Sequence, residues 1–85
     1  MEGYCEICHK WRTLERHHVY GNGFRNKSEQ YGAVVEICRE CHDDLHHRHP
    51  AKYKWLKREW QDKLMAWNEW SEEDFIREFG RNYLL

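Results

Sequence analysis

The chain has 85 residues and a formal net charge of −1, which is room for one domain whose buried fraction is too small to rest on apolar contacts alone. Leu, Ile, Val and Phe together number only 15, a share that would point to disorder if the net charge were large. The balanced charge excludes a partner argued from bulk electrostatics, and with no apolar run of about 18 residues and no basic-then-apolar start at Met1–Cys5, neither a membrane span nor a signal peptide is expected and the chain reads as cytoplasmic.

Seven His and four Cys form a surplus of metal-capable side chains. All of them precede Pro50, whereas four of the five Trp follow it. The chain is therefore read as an α+β protein in two parts, residues 1–49 and a helical extension over 50–85 packed on it as one domain.

From the amino terminus, the first feature is Cys5-Glu6-Ile7-Cys8, matched by Cys38-Arg39-Glu40-Cys41. Two such pairs present four thiolates in the spacing that clasps one tetrahedral zinc. In a reducing compartment metal is the better account of four Cys than disulfides, and a redox C-x-x-C would need one pair within a βαβ pattern that is absent. A sphere closed by four thiolates is structural, so zinc binding becomes folding energy.

Next come short apolar runs, His18-Val19-Tyr20 and Ala33-Val34-Val35-Glu36-Ile37, expected as brief strands, with a flexible glycine-bearing loop from Gly21 to Lys27 between them. A helix is expected from about Arg39 to Arg48. On it His42 and His46 lie four apart, which puts both imidazoles on one face. His17 and His18 end the first strand, where neighbours point to opposite sides, so one can join the ion while the other addresses something beside it. Three imidazoles with open positions describe a catalytic metal site, and a spare histidine with an ordinary pKa near 6.5 suits proton transfer. His9, His47 and His49 are read as solvated.

Beyond Pro50, at the first turn of a helix, Tyr53, Leu56, Trp60, Leu64 and Trp67 make one apolar stripe over roughly five turns, expected as core. Trp55 and Trp70 lie off it, as caps over the zinc module or a partner surface. Lys52, Lys54, Lys57 and Arg58 are read as a solvated face. Ser71 as N-cap, acidic residues after it and Gly80 as C-cap delimit a last helix ending at Phe79, followed by a short tail.

The order Cys-x-x-Cys, Glu15-Arg16-His17-His18-Val19, Ile37-Cys38-Arg39-Glu40-Cys41-His42, then His46 resembles the HNH endonucleases, the ββα-metal fold with an added four-cysteine zinc site, over about residues 4 to 49. Ser28-Glu29-Gln30-Tyr31-Gly32 and Phe75–Leu84 more loosely resemble small phage or prophage HNH proteins. The resemblance implies His17, His42 and His46 as ligands of a second divalent ion (Mg, Mn, Ni or Zn), His18 as the general base that activates water against a DNA phosphodiester, and Glu15 orienting an imidazole. It implies 5′-phosphate and 3′-hydroxyl ends, with DNA as partner and, from the looser likeness, a homodimer or phage packaging or recombination proteins. Arg25 and Lys27, with Asn22, would grip phosphate from the Gly21–Lys27 loop, giving affinity that falls with salt. One position departs: Ala33 stands where the family has its middle Asn, which braces the loop bearing the base. That departure carries the second reading, a non-catalytic zinc-stabilised DNA-binding or phage assembly protein of the same fold.

Overall fold

The computed structural model describes residues 1–84. Strands β1 (Glu2–Tyr4), β2 (Trp11–His18) and β3 (Val34–Cys38) form one antiparallel sheet in the order β1-β2-β3. Helix α1 (Arg25–Tyr31) crosses between β2 and β3, and α2 (Arg39–Asp43) leaves β3 directly. β2, β3 and α2 thus make a ββα-like unit with α1 inserted into it. Helices α3 (Lys54–Asn68) and α4 (Glu72–Phe79) complete the α+β architecture. Among the described residues no helix is long and apolar enough to cross a membrane.

The strand that ends at His17 and His18 extends further toward the amino terminus than the apolar run at His18–Tyr20 indicates. It is the eight-residue β2, paired with β3 from Leu14↔Cys38 to His18↔Val34, and Val19 and Tyr20 lie just beyond its end. Polar residues hide it, because its charged side chains are used on both faces. The expected flexible loop is also corrected: only its first half is a turn, and Arg25 begins α1, which Gly32 stops in the left-handed conformation at φ 76°. The expected single helix over Arg39–Arg48 is α2 followed by a wide π-helical turn at Asp44–Arg48, in which His49 N–H donates to Asp44 O at 2.8 Å. Such turns recur at functional sites. Asp44 also accepts from Tyr53 Oη and lies 2.7 Å from His49 Nδ1, fastening this turn to the 3₁₀ turn at Pro50–Tyr53 that leads into α3.

One core joins both parts of the chain. Val35 and Ile37 of β3, Tyr20, Leu56, Trp60 and Leu64 of α3, and Phe75 and Phe79 of α4 pack as a single cluster with Cys5, Cys38 and Cys41. Each fully buried Leu or Phe contributes about 1.5–3 kcal/mol. The α3 stripe holds except at its end: Trp67, expected in the core, is 64% exposed and touches Trp60 edge-on at 5.8 Å. It sits on the last turn before Glu69 reverses the chain at φ 55°, past the elements that cover the helix. Gln61, outside the apolar stripe, is fully buried. Its amide donates to Asn82 Oδ1 at 2.8 Å and accepts from Tyr83 N–H at 2.7 Å, so the tail is docked on α3. Trp55 borders a shallow hollow with Ile7, Cys8 and Cys41, and Trp70 packs on Tyr31 at 4.8 Å.

α4 is closed as its residues predict. Ser71 and Asp74 form a reciprocal capping box, and Gly80 ends the helix at φ 84°. A Cβ at Gly80 would also lie 2.8 Å from the Phe24 ring, so both conformation and space demand glycine there.

Candidate functional site

The four cysteines converge from two turns. Cys5 and Cys8 sit on the tight connection between β1 and β2, where Cys5 N–H donates to Lys10 O and His9 takes a left-handed φ of 64°. Cys38 ends β3 and caps α2, with Cys41 N–H donating to its sulfur at 3.5 Å. All four sulfurs lie within 4.8 Å of one another, and Cys8 Sγ and Cys38 Sγ are 3.9 Å apart. Zn–S bonds of about 2.3 Å in a tetrahedron put sulfurs roughly 3.8 Å apart, so the cluster fits a structural zinc. Burial opposes ionisation of Cys5, but backbone N–H groups of Cys38, Cys8 and Ile7 outweigh it and bring the thiol down to about 6. Cys41 is driven up by burial and by its sulfur neighbours. One ready thiolate among crowded sulfurs is the arrangement a divalent cation completes.

The second group is built by the alternation of β2. Glu15 and His17 point to one face, toward α2, while Arg16 and His18 point to the other, toward α1. On the first face the imidazoles of His17, His42 and His46 meet, with ring centroids 4.8–5.2 Å apart and ligating nitrogens within 4.8 Å. Among the described residues these three and the four cysteines are the two groupings able to hold a metal ion. Burial first, then the neighbouring His42 and His46, lowers His17 to about 4, which keeps its ring in the neutral form a ligand needs. Glu15 Oε1 lies 2.9 Å from His42 Nδ1, which leaves Nε2 free to ligate, and Arg39 lies 3.8 Å from the other carboxylate oxygen. Three imidazoles with a carboxylate behind one of them suit a divalent ion with positions left open. Glu15→Ala is expected to weaken ion binding at the histidines about 10–100-fold while leaving the thermal transition in place, measured by metal titration of zinc-loaded protein.

On the opposite face His18 Nε2 lies 2.6 Å from Glu29 Oε2, leaving Nδ1 as its free nitrogen. Arg16 holds the same carboxylate through two hydrogen bonds and reaches Glu36 at 3.4 Å. His18 and the three clustered histidines line one cavity of about 560 Å³. Among the described residues its charged wall is entirely basic: Arg16, Arg25, Lys54 and Lys57 line it, and no carboxylate does. Asn22, at a turn with φ 50°, lines it as well.

Several side chains take places that differ from the reading of the sequence. Lys27 turns away, pairing with Glu78 at 2.6 Å, and Tyr31 Oη donates to the same carboxylate at 2.8 Å, so these residues strap α1 to α4. Lys54 and Lys57 border the cavity, Lys54 exposed as read and Lys57 half-buried. Glu29 carries no signal in the sequence, because it meets His18, eleven residues earlier, from α1, a helix that its surrounding residues do not announce. Ala33 is fully buried and offers no side-chain brace. Its carbonyl accepts from Val19 N–H at 2.9 Å, and the buried Ser28 Oγ donates to Tyr20 O at 2.8 Å and accepts from Tyr20 N–H at 3.1 Å. The segment after His18 is thus held without an Asn.

Comparison with protein-family models, with curated proteins and with solved structures finds no match to this chain. The ββα-like unit and the four-cysteine cluster are compatible with the resemblance to HNH endonucleases, which rests on this chain's own residues and their arrangement.

Proposed function

We propose that the chain is a metal-dependent endonuclease of HNH type that hydrolyses DNA phosphodiester bonds. The observation that carries this reading is one cavity in which a metal-fitting histidine trio, a separate histidine held by a carboxylate, and an exclusively basic charged lining occur together, although the chain as a whole is slightly acidic.

His17, His42 and His46 would hold the divalent ion, Glu15 fixing the ring of His42. A bound ion supplies Lewis-acid stabilisation of charge on the phosphoryl group and the departing oxygen. Glu29 accepts from His18 Nε2–H and so presents Nδ1 as a base. As a water oxygen bonds to phosphorus, Nδ1 takes its proton; the bond to the 3′ oxygen breaks, and that oxygen leaves as a hydroxyl after protonation from solvent. The products carry 5′-phosphate and 3′-hydroxyl ends. Arg25, Lys54 and Lys57 balance the charge of the backbone without reading its sequence.

The alternative, a DNA-binding or phage assembly protein without chemistry, draws on Ala33. The ties from Ser28 and the Ala33 carbonyl to Val19 and Tyr20 supply the brace that the missing Asn side chain would give, and they favour the enzyme. Incubation of supercoiled plasmid with zinc-loaded protein and each of Mg, Mn, Ni and added Zn separates the two. The expected result is nicked circle that forms only with added divalent metal. Plasmid bound but unconverted with all four would establish the non-catalytic reading.

A further inference from the structure

Eight of the fourteen Lys and Arg side chains sit in ion pairs with carboxylates. Among the described residues the other six, Lys10, Arg25, Lys54, Lys57, Arg58 and Arg81, have no carboxylate within 4 Å. Their distribution is uneven. Arg25, Lys54 and Lys57 line the histidine cavity. Arg81 joins them from the tail: its guanidinium lies 5.0 Å from the centre of the Tyr83 ring, the same ring over which Lys57 Nζ sits at 5.3 Å.

The backbone that carries this cluster is held in place, although Arg25, Lys54 and Arg81 are themselves exposed. Tyr20 Oη, buried in the core, donates to the Lys57 carbonyl at 2.6 Å and fixes the first turns of α3 beside the cavity. Gln61 clamps the tail through Asn82 and the Tyr83 backbone, which sets Arg81 and Tyr83 against α3. Tyr83 itself packs on Tyr20 at 5.3 Å. Two cations are thus brought to one aromatic ring, and among the described residues no carboxylate lies within 4 Å of either, in a chain that has carboxylates to spare. Burial, and then the nearby Arg81, makes Lys57 less willing to hold its proton, as expected where like charges meet without a partner. An anion bound there would relieve the repulsion and gain charge-assisted hydrogen bonds.

We infer that Lys57 and Arg81, sharing the Tyr83 ring, form a phosphate subsite next to the histidine cavity, which receives a backbone phosphate neighbouring the one presented to His18. Arg25 and Lys54 line the same cavity as Lys57 and the histidines. A site that engages more than one phosphate takes an internal bond of a polynucleotide, not a terminal phosphate monoester. The inference rests on the reading of the cavity as a phosphodiester site, and it gives the helical extension and tail a direct part in holding substrate.

The test is fluorescence anisotropy with a labelled 20-base-pair DNA duplex and the full zinc-loaded chain, in a His18→Ala background so that no turnover occurs. Lys57→Ala and Arg81→Ala are each expected to weaken binding about 5–10-fold and to make the dependence on salt shallower by about one ion. Lys10→Ala, an unpaired cation at the zinc turn, is expected to stay within about twofold. Thermal melts establish that each variant is folded, and Arg81, being exposed, removes little packing if Lys57 does. Unchanged affinity and salt slope in folded Lys57→Ala and Arg81→Ala would overturn the subsite, as would an equal loss with Lys10→Ala. If the two variants lose affinity while the parent chain never nicks plasmid, the subsite stands and the hydrolytic reading falls. If the parent nicks and the variants bind like it, the subsite alone falls.

Discussion

Cys38→Ser, or treatment with a strong chelator, is expected to abolish the cooperative thermal transition of this chain. Cys38 is the sulfur on which two parts of the fold depend: it closes β3, caps α2 and sits 3.9 Å from Cys8 across the cluster. Structural zinc in small modules contributes roughly 10–16 kcal/mol, as large as the whole net stability of an ordinary domain, about 5–15 kcal/mol. With 15 large aliphatic and Phe residues, the core has no reserve to absorb that loss. Circular dichroism through a temperature ramp reads the outcome, and a chelated, zinc-free sample with an unchanged transition would contradict the account. Because Cys41 immediately precedes His42 on α2, collapse of the cysteine cluster also removes the ligand geometry of the histidine trio.

The second large effect is at His18. His18→Ala is expected to reduce metal-dependent nicking about 10²–10⁴-fold, the usual range for removing a positioned general base, while metal content and melting temperature stay near those of the parent. The separation is possible because His18 faces α1 and Glu29, whereas His17 faces the other way, toward His42 and His46. Rates of conversion of supercoiled plasmid measure it. Nicking that survives the substitution would remove His18 from the mechanism.

What could be read from the sequence divides along a physical line. The cysteine pairs and the His42–His46 pair were legible, because C-x-x-C and i, i+4 are local spacings that a turn or a helix face converts directly into proximity; that His17, not His18, joins them followed only from the resemblance to HNH endonucleases. α4 was legible because its ends carry their own signals, Ser71 with Asp74 and then Gly80. β2 was only partly so: its alternation is between two sets of functional polar groups rather than between apolar and polar, and periodicity of hydrophobicity is blind to that. α1 was hidden by the glycines around it, and Glu29 with it. Trp67 misled because a stripe predicts which face of a helix is covered but not how far along the cover extends. Gln61 was overlooked for the converse reason, since a buried amide with both ends satisfied behaves as core. Lys54 and Lys57 could not be told from a solvated face until α3 was packed beside the histidines.

The central claim is that the histidine trio holds an ion separate from the structural zinc and that hydrolysis depends on it. Metal content and plasmid nicking measured on the same samples of parent and His42→Ala protein test it most directly. The account predicts about two ions per chain and nicking for the parent, and for folded His42→Ala about one ion and no nicking. A variant that keeps both ions, or that loses one and nicks at the parent rate, would contradict it.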